Sequence, residues 1–202
     1  IPYCENFDGY PNNTIPNEWK IVNSRSNSGF PTIETINGER VFTFYPSTGN
    51  NYDMVLLPAL AYDDSLNGKY IHLRMEVSNY SSSTLEIGVL PDTNNPGSFI
   101  SMGNIRCSQN NTIQEFFIQL SGYSGSANRL AIKASVTSGT RWFRINDFSL
   151  TNTPYPTNIR LNQPEVSSTE ILWDRVFDST HYNIWYTLIG SDEWVMVESD
   201  SC

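Results

Sequence analysis

The chain has 202 residues, 39% of them apolar and 13% aromatic, enough to bury one good core and part of a second. Twelve Lys and Arg against 21 Asp and Glu leave a net charge of −9, which argues against a nucleic-acid partner, because phosphate binding relies on clustered basic side chains. No run of about 18 apolar residues occurs and no signal-peptide pattern stands at Ile1, so neither a membrane span nor an address is expected, and the chain reads as a mature or trimmed segment.

In chain order, "IPYCENFDGY" reads as a first edge strand, with Phe7 turned into the core and a turn at Asp8-Gly9. Clear period-two alternation follows in "RVFTFY" (40–45), "MVLLP" (54–58) and "YIHLRMEV" (70–77), the last with Ile71, Leu73, Met75 and Val77 on one face and His72, Arg74 and Glu76 on the other. The same period recurs in "TLEIGVL" (84–90), "SFISMGNI" (98–105), "IQEFFIQL" (113–120), "RLAIKAS" (129–135) and "RWFRINDFSL" (141–150). Turn-makers such as "INGER", "PSTGNN", "PDTNNPGS" and "TSGT" separate these runs, and no window holds helical spacing for three turns. Eight to ten short strands over roughly 150 residues predict an all-β, antiparallel jelly-roll sandwich.

The composition shifts near Pro154. Residues 1–153 carry 10 basic and 13 acidic side chains, whereas residues 154–202 carry 2 and 8. After the stiff "TNTPYPTN" come strand-like runs around Leu172, Trp173, Tyr182, Ile184 and Tyr186, but about four strands in this stretch fall short of the seven or so that a free-standing sandwich needs. The expected division is therefore 1–153 and an incomplete second sandwich at 154–202.

Cys4, Cys107 and Cys202 form no CxxC pair, and only His72 and His181 could complete a soft-metal site, so zinc and thiol-redox roles are not expected; one disulfide plus a leftover, or three free thiols, both stand open. Asn12, Asn79 and Asn110 head N-x-S/T triplets, which arise by chance in an Asn-rich chain. The Asn, Ser, Thr, Tyr and Gly richness favours a secreted or cell-surface location.

Residues 2–151 resemble the cleaved-adhesin or MAM-like jelly-roll domains of bacterial secreted and surface proteins. The resemblance is carried by "PYCENFDGY…IPNEWK", "MVLLPAL…LNGKYIHLRMEVSN", "LEIGVLPDTNNPGSFISMGNI", "IQEFFIQLSGYSGSANRLAIKAS" and "RWFRINDFSLT". In such families the last strand reads I-D-D-(V/I); here Asn146 takes the first Asp position and Asp147 remains. Residues 155–202 look like the first half of a fibronectin type III module, an Ig-like sandwich, with Trp173 at the usual core position. The resemblance implies a noncatalytic adhesion or carbohydrate-binding module whose partner is a glycan or a host or extracellular protein. The alternative it leaves is a structural or docking arm of a larger secreted protease or glycoside hydrolase, in contact with other domains of the same polypeptide.

Two sets of candidate residues follow. If the first and last strands pair, Glu5 and Asp8 approach Asn146 and Asp147, oxygen donors of the kind Ca²⁺ takes; the competing reading makes Asp8-Gly9 a turn and Asp147 a bulge residue. With Phe143 and Ile145 inward, Trp142 and Arg144 point outward, and Phe117 is out of phase with Phe116, Ile118 and Leu120; such rings stack on sugar faces while Arg or Asn side chains bond the hydroxyls. Trp19 is assigned to the core. No G-x-S-x-G, H-E-x-x-H or Cys-His set occurs, and Asp63-Asp64 reads as a solvated turn, so no catalysis is expected.

Overall fold

The computed structural model describes residues 3–23, 29–48, 52–59, 66–127, 129–151, 157–165, 168–174, 181–186 and 195–200. Two compact units form, Ile1–Thr153 and Pro154–Cys202. The first holds eleven strands: β1 (Tyr3–Glu5), β2 (Lys20–Asn23), β3 (Thr32–Ile36), β4 (Glu39–Phe44), β5 (Tyr52–Ala59), β6 (Tyr70–Val77), β7 (Ser83–Val89), β8 (Ile100–Ile105), β9 (Gln114–Gln119), β10 (Arg129–Val136) and β11 (Phe143–Thr151). Each alternating run of the sequence is a strand. The short β2 and β3 carry too few residues to show a period; β3 is held by a hairpin to β4 whose Asn37 and Gly38 take φ of 53° and 89°, as a two-residue primed turn requires.

The strands lie in two antiparallel sheets. One runs β3-β4-β11-β6-β9 with β1 also on β11; the other runs β2-β5-β10-β7-β8. Sequence neighbours mostly fall in different sheets, as in a jelly roll. The inward residues of β6 (Ile71, Leu73, Met75, Val77) and β11 (Phe143, Ile145, Phe148, Leu150) meet those of β5, β7 and β10, including Val55, Leu85, Ile87 and Ile132. All are essentially inaccessible, and each large side chain so buried contributes about 1.5–3 kcal/mol.

Aromatic rings close one end of this core. Trp19 packs edge-on to Phe42 at 5.0 Å and to Phe7 at 6.0 Å, and Phe7 stacks on Phe42 at 5.8 Å. The Trp19 indole N–H donates to the Tyr3 hydroxyl at 2.6 Å, satisfying the one polar group this ring brings inside. Burial raises the Tyr3 pKa well above its ordinary value, although the bond from Trp19 works the other way.

Part of the outer face of the five-stranded sheet is apolar and buried. Met54, Leu56, Leu90 and Ala131 form a second apolar cluster there, with Val22, Tyr52 and Phe99 packed on it. Lys133 pairs with Glu86 at 2.9 Å and lies over the Tyr52 and Phe99 rings at 5.3 and 5.2 Å. Phe99 reaches this position because β8 passes tightly over Gly88, where a Cβ would stand 2.0 Å from the Ile100 carbonyl oxygen.

Cys4 is exposed and Cys107 buried, and both are free; Cys202 lies outside the described residues. Burial pushes the Cys107 thiol up to about 11, with the nearby Glu76 charge adding to the effect. At pH 8 iodoacetamide is expected to alkylate Cys4 rapidly and Cys107 only after unfolding, which peptide mapping by mass spectrometry reads site by site; equal labelling of both in the folded protein would contradict the burial. The stability sign follows from the same shift. The folded state holds this proton longer than the unfolded chain, so the group's contribution is complete below the ordinary thiol value and is lost as pH climbs towards about 11.

In the second unit β12 (Thr157–Glu165) pairs with β13 (Ser168–Asp174), and β14 (His181–Tyr186) with β15 (Val195–Asp200). These are two separate antiparallel hairpins; among the described residues no third strand joins either. The side chains of Trp173, Tyr182 and Tyr186, the prolines at 154 and 156, and the Asp63-Asp64 turn lie outside the described residues. Among the described residues no helix is long and apolar enough to cross a membrane.

Candidate functional site

The outer face of the six-stranded sheet is set by the phase of β6 and β11. With the apolar members of "YIHLRMEV" inward, Tyr70, His72, Arg74 and Glu76 point out in a row. β11 answers from the neighbouring position: Arg144 stands opposite Glu76, Asp147 opposite Arg74, Ser149 opposite His72 and Thr151 opposite Tyr70. From the other side β9 brings Glu115, Phe117 and Gln119 to the same face.

Cross-strand chemistry then organises the row. Arg144 Nη1 lies 3.3 Å from Glu76 Oε1, Arg74 Nη1 2.7 Å from Asp147 Oδ2, and His72 Nε2 2.6 Å from Glu115 Oε1. Gln119 Nε2 donates to the Tyr70 hydroxyl at 3.0 Å. Solvent-accessible pairs such as Arg74–Asp147 contribute at most about 1 kcal/mol to folding, so their alignment matters chiefly for what the face presents.

Two aromatic side chains flank this polar row. Trp142 is half-buried, its ring under the Arg144 guanidinium at 3.9 Å. Phe117, 43% exposed, stacks on the His72 ring at 4.8 Å. The Trp142 carbonyl accepts from the Ser78 amide, and Phe117 sits opposite His72, so the two lie about 20 Å apart along β6 at a strand's rise per residue. The outward phase expected for Trp142, Arg144 and Phe117 is what the structure shows.

Incomplete hydrogen bonding concentrates here too. Of the five buried side-chain polar atoms without a hydrogen-bond partner among the described residues, three belong to this side of the sheet: Thr43 Oγ1, Arg144 Nε and Asn146 Oδ1. Thr43 and Arg144 are direct cross-strand partners on β4 and β11. Buried polar atoms are nearly always paired, so such a cluster marks a place where the fold leaves hydrogen-bonding capacity in hand.

The acidic quartet has a different fate. β1 does pair with β11, placing Tyr3, Cys4 and Glu5 opposite Leu150, Ser149 and Phe148. On that same edge of β11, β4 pairs with Phe143–Ile145, and between the two partners the register shifts at Asn146. The bulge opens a recess of about 210 Å³ lined by Asp8, Glu39, Arg40, Arg74, Asn146 and Asp147, with Asn6 at its side. Three of the four residues singled out for calcium thus come together, but Glu5 does not line this recess. Its Oε1 accepts from the Phe7 amide at 2.9 Å and its Oε2 from the Tyr10 hydroxyl at 3.1 Å.

Most polar groups in the recess are likewise engaged: Asp147 holds Arg74, Asn6 donates to Asp8 at 3.1 Å, Asn146 Nδ2 donates to Glu39 at 3.1 Å, and Arg40 donates to the Asn12 side chain, while Asn146 Oδ1 has no partner among the described residues. Among the described residues no group of three His, Cys, Asp or Glu side chains converges where an ion could sit. Two guanidinium groups already supply positive charge beside these oxygens, which counts against a hard cation taking six to eight oxygen ligands.

The residues that sequence reasoning did not single out are Arg74, Glu76, His72 and Glu115. Their outward phase is visible in "YIHLRMEV" and "IQEFFIQL", but their pairing depends on the register of three strands distant in sequence.

No protein-family model matches the chain, and no curated protein matches it in sequence. Solved structures do match its fold. The K2 cleaved adhesin domain of Lys-gingipain aligns with a TM-score of 0.52 at 10% identity, covering 75% of this chain and 99% of that one. The K1 and K3 cleaved adhesin domains of Lys-gingipain from Porphyromonas gingivalis W83 align at TM-scores of 0.51 and 0.50 with 12% and 15% identity; they cover 75% and 74% of this chain, and 98% and 97% of their own. The fold is that of an antiparallel jelly-roll sandwich similar to these domains.

Proposed function

We propose that the chain is a noncatalytic extracellular module that binds glycans through the outer face of its six-stranded sheet. The observation that carries this reading is the composition of that face: the exposed Phe117 and the half-buried Trp142 bracket a row of donors and acceptors drawn from three strands. Rings supply the flat apolar surface on which a pyranose C–H face stacks, and Arg, Glu, Gln and Tyr side chains meet its hydroxyls. The likeness of the fold to cleaved adhesin domains of Lys-gingipain agrees with a binding role. The two hairpins of the second unit are read as strands of a sandwich of the fibronectin type III kind.

A glycan array with wild-type protein and Trp142→Ala tests the proposal. Wild type is expected to bind a subset of glycans, and the variant to lose about 2 kcal/mol, roughly thirtyfold in affinity, at unchanged melting temperature. Silence of the wild type across all glycans would favour instead a structural or docking arm with no ligand of its own.

A further inference from the structure

The face presents its charges in a particular way. Glu76, Arg74 and His72 succeed one another along β6, and each is matched across a strand by a group of complementary charge or hydrogen-bonding character: Arg144, Asp147 and Glu115. The two arginines at the centre of the row already hold carboxylates, Arg74 at 2.7 Å and Arg144 at 3.3 Å. An uncharged, hydroxyl-rich chain can bond to both members of each pair without separating them. A ligand bearing carboxylates or sulfates would have to displace Glu76 and Asp147 from their guanidinium partners, or stack like charges beside them, and would bind more weakly for it. The chain's net charge of −9 adds a long-range repulsion of the same sign.

We infer that the six-stranded face selects neutral glycans and excludes acidic ones, and that the Glu76 and Asp147 carboxylates enforce this choice by occupying Arg144 and Arg74. This rests on the glycan-binding reading above and narrows it to a ligand class. It makes Glu76 and Asp147 specificity determinants whose role is to keep two arginines from acting as anion receptors.

The test uses the full chain, the polysaccharide that retains the wild type in the array, and the same polysaccharide after carboxymethylation, compared by affinity electrophoresis. Wild type is expected to be retarded by the neutral polymer and much less by the carboxymethylated one. Glu76→Gln and Asp147→Asn should each strengthen retention by the carboxymethylated polymer about tenfold, a gain that falls as salt is raised. Glu86→Gln removes one negative charge from the opposite sheet's Lys133 pair and should leave the preference unchanged, separating local release of an arginine from a change in net charge. Wild-type retention by the carboxymethylated polymer as strong as by the neutral one, or a gain in Glu86→Gln equal to that in the face variants, overturns the selection mechanism while leaving glycan binding in place. Retention by no polysaccharide overturns both.

Discussion

Trp19→Ala is expected to remove about 4 kcal/mol of stability, the largest single loss in the sandwich. The ring is 4% exposed and makes edge-on contacts with Phe7, Phe42 and Phe148, so its removal leaves a cavity that three rigid rings cannot close. It also strips the Tyr3 hydroxyl of its indole donor in a largely buried setting. Urea unfolding should show a lower midpoint at an unchanged slope. Tyr3→Phe isolates the polar part and should cost about 1–2 kcal/mol, because the indole N–H is then left without an acceptor. A Trp19→Ala loss no greater than that of Tyr3→Phe would show that the rings do collapse into the space.

Glu5→Ala comes next, at about 3 kcal/mol. Phe7 sits at φ 64°, a left-handed conformation unusual for a bulky side chain, and this turn swings its ring fully into the core. The Glu5 carboxylate holds the turn by accepting from the Phe7 amide and the Tyr10 hydroxyl, while Tyr10 N–H closes onto the Phe7 carbonyl at 3.2 Å. Glu5→Gln keeps an acceptor and should lose about 1 kcal/mol. The same melts discriminate a staple from a metal ligand. Excess calcium over chelator should leave the wild-type midpoint where it is and the Glu5→Ala deficit equal in both; a calcium-dependent rise in wild type that Glu5→Ala abolishes would restore the ligand role.

These two positions show what could be read from the chain and what could not. The β6 and β11 sequences declare their faces outright, because an apolar side chain on every second residue admits one register against a buried core. The outward placement of Trp142 and Arg144 follows from that phase and that of Phe117 from the same period in β9, whereas the core position of Trp19 was implied by the resemblance, in which a Trp follows the Pro of "IPNEW". The pairing of β1 with β11 was open in the sequence as a condition, since first and last strands often pair in jelly rolls, and the register meets that condition. The role of Glu5 was not, since it depends on a left-handed residue two positions on, which nothing in "CENFDGY" dictates. Nor could the chain announce that Arg74 reaches Asp147, seventy-three residues later, instead of leaving that carboxylate to a metal ion. Short strands such as β2 and β3 escape for the simpler reason that four or five residues hold barely two periods.

Asn146 changes the meaning of the recess beside it. Arg144 and Asp147 face outward while Ile145 and Phe148 face inward, so the strand would keep perfect alternation if residue 146 were simply absent. It is an extra residue in the strand's alternation, set between the stretch of β11 that pairs with β4 and the stretch that pairs with β1, where the recess opens. Scaffold and recess are thus separable inheritances: the first is written in the period of the strands, the second in a one-residue departure from it, free to be reshaped while the core stays as it is.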